Sequence, residues 1–166
     1  MLAEQVGAAL LARHWRLAVA ESATGGLVGH WLTSVSGSSA YFWGGVIAYA
    51  NEVKQNVLGV RAGTLARWGA VSPQVALEMA QGVCRVVGVE MGVSITGIAG
   101  PTGATPTKPV GLYYVGLAVP GERRVWRYHL RDERVANNET IARAVLTHVR
   151  DYLFVVTASA VFLGDG

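Results

Sequence analysis

Three apolar runs in the first hundred residues each end in polar side chains or glycines, and amphipathic stretches separate them. Leu17–Ala20 runs into Glu21-Ser22-Ala23-Thr24-Gly25-Gly26, Ala40–Ala50 into Asn51, and Val89–Gly97 into the glycine- and proline-rich segment Gly97–Lys108. Strands that alternate with helices need crossovers, and crossovers give parallel pairing. The apolar spacing predicts helices over Leu2–His14, Thr24–Val35, Glu52–Leu58 and Thr64–Arg67. Ser72 and Pro73 carry a cap and a first-turn proline for a helix to Val87. Strands Val110–Val119 and Arg123–Leu130 flank a short turn at Pro120-Gly121 and are expected to pair antiparallel. A long helix is expected over Arg134–Leu153, and the apolar segment from Phe154 is assigned no element. The architecture is therefore an α/β fold with a mixed, largely parallel sheet between helices. Gly44 and Gly45 mark a bulge or a close backbone approach in the second strand.

The 166 residues suit one domain (1–166) and are enough to bury a substantial core. Hydrophobic residues make up 51 % and charged residues 15 %, so a packed globule is expected rather than disorder. The formal charge is +3, a mild balance that fits a small anionic ligand. No basic block interleaved with aromatics is present, so a nucleic-acid partner is not expected. Gly121–Arg131 alternates like a solvated strand face. One cysteine, Cys84, excludes an internal disulfide and a Cys-based zinc site, and the four histidines lack metal-ligand spacing. The N-terminus has no basic head leading into a continuous apolar run. No apolar run reaches the roughly 18 residues of a membrane span. No membrane partner is expected, and the expected location is the cytoplasm. The aromatic strand around Phe42 and Trp43 offers apolar surface, and the expected assembly is a homo-oligomer, a dimer.

Ser22 stands at the carboxyl end of a strand, where open α/β sheets bind ligands. Thr24, Gly25 and Gly26 open the next helix, whose free N–H groups can hold an oxyanion. The bland alternative is that Ser22 and Thr24 are caps and the glycines a packing point. The pattern is neither a phosphate-binding loop ending in Lys nor a G-x-S-x-G elbow. Tyr49, Asn51 and Lys54 end the second strand and can share a crevice with Ser22. A lysine acts as a base only when neutral, which requires a dry or cation-rich pocket; otherwise Lys54 is an exposed first-turn residue. Gly97, Gly100 and Gly103 allow a loop to wrap a ligand, with Lys108 closing it, or form a plain surface loop. Arg134, Asn137 and Asn138 begin the last helix, with either asparagine a candidate cap.

"AESATGG", "GSSAYFWGGVIAYANEVKQNVLGV", "GAVSPQVALEMA", "SITGIAGPTG" and "KPVGLYYVGLA" occur in the order found in the CinA C-terminal domain family, which the chain resembles from about Glu4 to Tyr152. The resemblance implies a three-layer α/β/α sandwich and hydrolysis of the carboxamide of nicotinamide mononucleotide to the nicotinate nucleotide and ammonia. It makes Ser22 the nucleophile and Lys54 its base, with no metal or other cofactor. Tyr49 or Thr24 would orient the lysine. Substrate contacts are expected from Glu21, Gly25, Gly26, Asn51, Gly97, Gly100, Lys108 and Arg134. Ala23 stands where the family often has Cys, and Ala136 where it often has a second Arg after Arg134. The partner implied is a small nucleotide. The alternatives are an amidase for another carboxamide and a non-catalytic nucleotide-binding module linked to competence or DNA-damage responses.

Overall fold

The computed structural model describes the backbone of residues 1–161 and the side chains of residues 1–155. The elements are α1 (Leu2–Ala12), β1 (Leu17–Glu21), α2 (Leu27–Thr33), β2 (Phe42–Ile47), α3 (Asn51–Asn56), α4 (Ala62–Trp68), α5 (Pro73–Val87), β3 (Met91–Gly97), β4 (Leu112–Val119), β5 (Glu122–His129) and α6 (Arg134–Val161). The last helix thus continues past the expected end at Leu153. The terminal Gly164-Asp165-Gly166 lies outside the described residues.

One five-stranded sheet runs β2-β1-β3-β4-β5. β1 pairs parallel with both β2 and β3, while β3–β4 and β4–β5 are antiparallel. Four strands therefore point the same way and β4 alone is reversed, the mixed and largely parallel sheet expected. β1 is buried on both faces, as parallel strands covered by helices are. Its alternate residues divide the core. Leu17 and Val19 join Met91, Val93 and Ile95 under α1, α2 and α6, whereas Ala18 and Ala20 pack with Val75, Met79 and Val83 of α5. The result is three layers.

Small residues set the layer spacing. A Cβ on Gly92 would come 2.3 Å from the Ala80 carbonyl oxygen, and one on Gly116 2.6 Å from that of Ala76. In β2 both expectations for the glycine pair hold. The register slips between Leu17 and Ala18, which face Phe42 and Gly44, and Gly44 adopts φ +143°. Gly45 lies so close to β1 that a Cβ there would meet the Val19 carbonyl at 2.6 Å. Ser72 accepts the Val75 N–H at 3.3 Å and Pro73 opens α5, as the sequence predicts.

The start of α2 differs from expectation. The helix begins at Leu27 rather than Thr24, because Gly25 and Gly26 take φ +61° and +104° and keep the chain in a turn. Neither Ser22 nor Thr24 caps it. On β2, Trp43 is exposed and the Arg16 guanidinium lies 4.0 Å from its ring centroid. Among the described residues, no helix is long and apolar enough to cross a membrane.

Candidate active site

Parallel strands β1, β2 and β3 deliver their carboxyl ends to one edge of the sheet, and the crevice lies there. It measures about 300 Å³ and is lined by Ser22 and Ala23 after β1, by Tyr49, Asn51 and Lys54 after β2, and by Thr96 to Gly100 at the end of β3. Ala70, Val71, Thr102, Gly103 and Arg134 complete the wall. A larger hollow of about 430 Å³, lined by Arg61, Glu78, Arg85 and Arg123, contains none of these residues.

Ser22 is 8 % exposed and Lys54 1 %. The lysine Nζ lies 3.1 Å from Ser22 Oγ, 2.7 Å from the Ala48 carbonyl oxygen and 3.2 Å from that of Tyr49. Two carbonyls and one hydroxyl are a telling set. A neutral amine has two N–H bonds and one lone pair. The carbonyls can only accept, so in the neutral amine they take both N–H bonds and the lone pair is left for the serine O–H, whereas in the ammonium the third N–H donates to Ser22 Oγ. Among the described residues no carboxylate is hydrogen-bonded to this amine, and burial lowers its pKa from the ordinary lysine value. The pair has the geometry of a nucleophile and its base.

The loop after β1 is held from outside the crevice. Gly25 N–H donates to the Ser22 carbonyl at 3.1 Å, and Asn138 Nδ2 on α6 donates to the Ala23 carbonyl at 2.9 Å. The backbone N–H groups of Ala23 and Thr24 have no acceptor among the described residues. Arg134 bridges two walls, donating to the Gly100 carbonyl at 3.0 Å and to the Tyr49 hydroxyl at 2.9 Å. Thr96 Oγ1 donates to the Ala70 carbonyl at 2.8 Å and so fixes the segment before α5 to β3.

The CinA C-terminal domain profile matches residues 1–153 of this chain. The chain belongs to this family. The CinA-like protein of Salinibacter ruber is 52 % identical over 150 residues, which are 90 % of this chain and 36 % of that protein. The CinA-like protein of Synechococcus elongatus is 59 % identical over 119 residues, 72 % of this chain and 28 % of that protein. The chain spans about a third of the length of these curated relatives. Among solved structures, a CinA superfamily protein from Klebsiella pneumoniae superposes with a TM-score of 0.89 at 33 % identity, covering 92 % of this chain and 95 % of that one. A competence/damage-inducible protein from Agrobacterium tumefaciens superposes with a TM-score of 0.81 at 34 % identity, covering 95 % and 92 %.

In this CinA domain the expected site residues divide into two groups. Ser22, Lys54, Tyr49, Asn51, Gly97, Gly100 and Arg134 line the crevice together. Glu21, Thr24, Gly25, Gly26 and Lys108 do not. Strand alternation separates Glu21 from Ser22, sending its carboxylate to the α2 side of the sheet. There it accepts from Thr24 Oγ1 at 2.6 Å and from the N–H groups of Gly26, Val28 and Gly29 at 3.0, 3.2 and 2.9 Å. Glu21 is therefore the cap of α2, and it occupies both the Thr24 hydroxyl expected to orient Lys54 and the Gly26 N–H expected to hold an oxyanion. Tyr49 meets Lys54 through its carbonyl, while its hydroxyl serves Arg134. The glycine loop doubles back at Thr105–Lys108, so the Lys108 amine donates to the Trp68 carbonyl at the end of α4. Asn137 holds Asp132 on both sides, accepting from its N–H at 3.2 Å and donating to its carbonyl at 2.7 Å. Thr96, the Ala70-Val71 segment and Asn138 carry no local sequence signal for the site.

Proposed function

We propose that this domain is a nicotinamide-nucleotide amidase, cleaving the carboxamide of nicotinamide mononucleotide with Ser22 as nucleophile and Lys54 as base. The reading rests on one observation, the buried 3.1 Å contact between Lys54 Nζ and Ser22 Oγ, with two carbonyl oxygens as the other neighbours of the amine. Neutral Lys54 takes the serine proton as Oγ attacks the carboxamide carbon. We assign the developing oxyanion to the turn after Ser22, where the N–H groups of Ala23, on the crevice wall, and of Thr24, one residue behind it, have no acceptor among the described residues and donate to it. Collapse breaks the C–N bond, and Lys54 returns the proton to the departing nitrogen, which leaves as ammonia. A water then attacks the acyl-enzyme by the same route, releasing the nicotinate nucleotide. The dyad differs from a Ser-His-Asp triad in that an amine has no tautomer for a third residue to fix.

Arg134 is the cation on the crevice wall, and it is the group we assign to the anionic part of a nucleotide. The reaction is expected to run in the cytoplasm, where the thiol of Cys84 stays reduced.

The decisive measurement is ammonia release from nicotinamide mononucleotide, nicotinamide, its riboside and the dinucleotide. Wild type is expected to turn over the mononucleotide best, and Ser22→Ala to lose about 10³-fold or more in kcat with an unchanged circular dichroism spectrum. Binding of the mononucleotide without ammonia would instead support a binding module. Preference for another member of the panel would reassign the substrate.

A further inference from the structure

Asn138 has no place in the dyad and does not line the crevice, yet it reaches across 115 positions of chain to the carbonyl of the residue after Ser22. Its orientation is fixed. The Ala23 carbonyl can only accept, so the amide nitrogen must face it, and the amide oxygen then accepts from the Tyr113 hydroxyl at 2.9 Å. Tyr113 is itself wedged: fully buried on β4, its ring sits where a Cβ on Gly97 would come within 2.1 Å.

The consequence follows from peptide geometry. Ser22 to Gly25 form a β-turn closed by the Gly25 N–H to the Ser22 carbonyl, with Ala23 and Thr24 at its centre. A trans peptide is planar, so its carbonyl and the next N–H point in opposite directions. Holding the Ala23 carbonyl toward Asn138 aims the Thr24 N–H the other way, and no acceptor among the described residues takes it. Type I and type II turns differ by a flip of this central peptide. A flip here would replace the Thr24 N–H with a carbonyl oxygen, which repels an oxyanion. Thr24 already resists it, because a type II turn requires positive φ at that position and a β-branched residue avoids it. Asn138 adds a second restraint from α6.

We propose that Asn138 is a positioning residue that holds the Ser22–Gly25 turn in its oxyanion-binding form, with Tyr113 orienting the amide. The inference rests on Ser22 being a nucleophile, and its test is arranged so that it does not depend on the substrate. The first readout is kcat and KM for ammonia release from nicotinamide mononucleotide. The second is the rate at which an organophosphorus fluoridate labels Ser22, followed by intact mass. In that reaction the Oγ–P bond forms, the P–F bond breaks, the serine proton passes to Lys54 and fluoride leaves.

Loss of a whole oxyanion donor costs about 10²–10³-fold, and a misaimed one less, so Asn138→Ala is expected to lower kcat and the labelling rate together by about 10-fold. KM should stay within about threefold of wild type. Asn138→Asp retains the volume and the Tyr113 partner but turns an acceptor toward the Ala23 carbonyl. It should be at least as slow as Asn138→Ala, whereas a purely space-filling role would leave it near wild type. Tyr113→Phe should give a smaller fall of the same kind. Labelling of Asn138→Ala and Asn138→Asp at the wild-type rate overturns the inference, as does a change confined to KM. If Asn138→Ala does not fold, Tyr113→Phe decides, and an unchanged labelling rate in it overturns the inference. If wild type is labelled but releases no ammonia, and the variants label slowly, the substrate reading fails while Asn138 keeps its role. If wild type shows neither reaction, both readings fall.

Discussion

Glu21 and Lys54 are both buried ionisable groups, and the protein treats them in opposite ways. Glu21 receives a hydroxyl and three backbone N–H groups at the start of a helix, where the dipole also favours a negative charge. Lys54 meets two carbonyls and a hydroxyl, with no carboxylate bonded to it among the described residues, and its pKa is lowered by desolvation. In the proposed role of base, a lysine kept in this state should show itself in the pH profile. The kcat/KM for ammonia release is expected to rise with pH through a single ionisation below 10.5, and Lys54→Met should abolish the activity. The stability consequence has a definite sign. The unfolded chain binds the lysine proton more readily than the folded one, so stability should climb with pH between the lowered folded value and 10.5. Urea unfolding of wild type and Lys54→Met at a series of pH values checks this, since the variant should lose that climb.

At the scale of elements, the amino ends of the parallel strands are clamped opposite the site. Arg16, just before β1, donates through Nε and its backbone N–H to Glu90, just before β3, at 3.0 and 2.9 Å. The hydrogen bond from Arg16 holds the Glu90 carboxyl well below the usual carboxylate range, at about 2. Its contribution is therefore present above the ordinary value of 4.5 and fades as pH falls toward 2. Glu90→Gln should lower Tm by about 2 °C at pH 7, a modest figure because the pair is partly solvated, and the difference should shrink in acid. Gly92→Ala should cost about 1–3 kcal/mol in urea unfolding, since the added methyl meets the Ala80 backbone and α5 must move off β3. Features of this kind separate what the sequence makes legible from what it hides. The order of strands and helices, the Ser72 cap and the tight Gly44-Gly45 seat follow from local patterns of two to fifteen residues. Ser22 and Lys54, which the structure brings into contact, both lie in segments whose motifs single them out. The motif suggests a substrate contact for Glu21, but strand alternation sends it to the face opposite Ser22, where it caps α2. The Lys108 loop reversal and the Asn138 contact depend on tertiary pairing between distant segments, for which no local spacing gives a cue.

At the scale of the molecule, the crevice belongs to no single element. Arg134 ties the start of α6 to Gly100, 34 positions away, and to Tyr49, 85 positions away, so it joins the β2 and β3 exits to the last helix. Asn138 makes the corresponding tie to the β1 exit. A ligand seated among these segments binds only when all of them are in place, and it must therefore stabilise the folded chain by mass action. At a concentration of about 100 times its Kd, a bound nucleotide adds about 2.7 kcal/mol. For a chain of this size that amounts to a rise in Tm of about 5–10 °C. Nicotinate mononucleotide, the product of the proposed reaction, is the ligand to use, because it is not consumed during the melt. Differential scanning calorimetry should show the rise in wild type and in Ser22→Ala alike, since binding does not require the nucleophile. Arg134→Ala should show a smaller rise at equal ligand, because it removes the cation from the wall and both of its ties. Equal shifts in wild type and Arg134→Ala would take Arg134 out of ligand recognition. No shift in any of the three proteins would mean that the crevice does not hold this nucleotide.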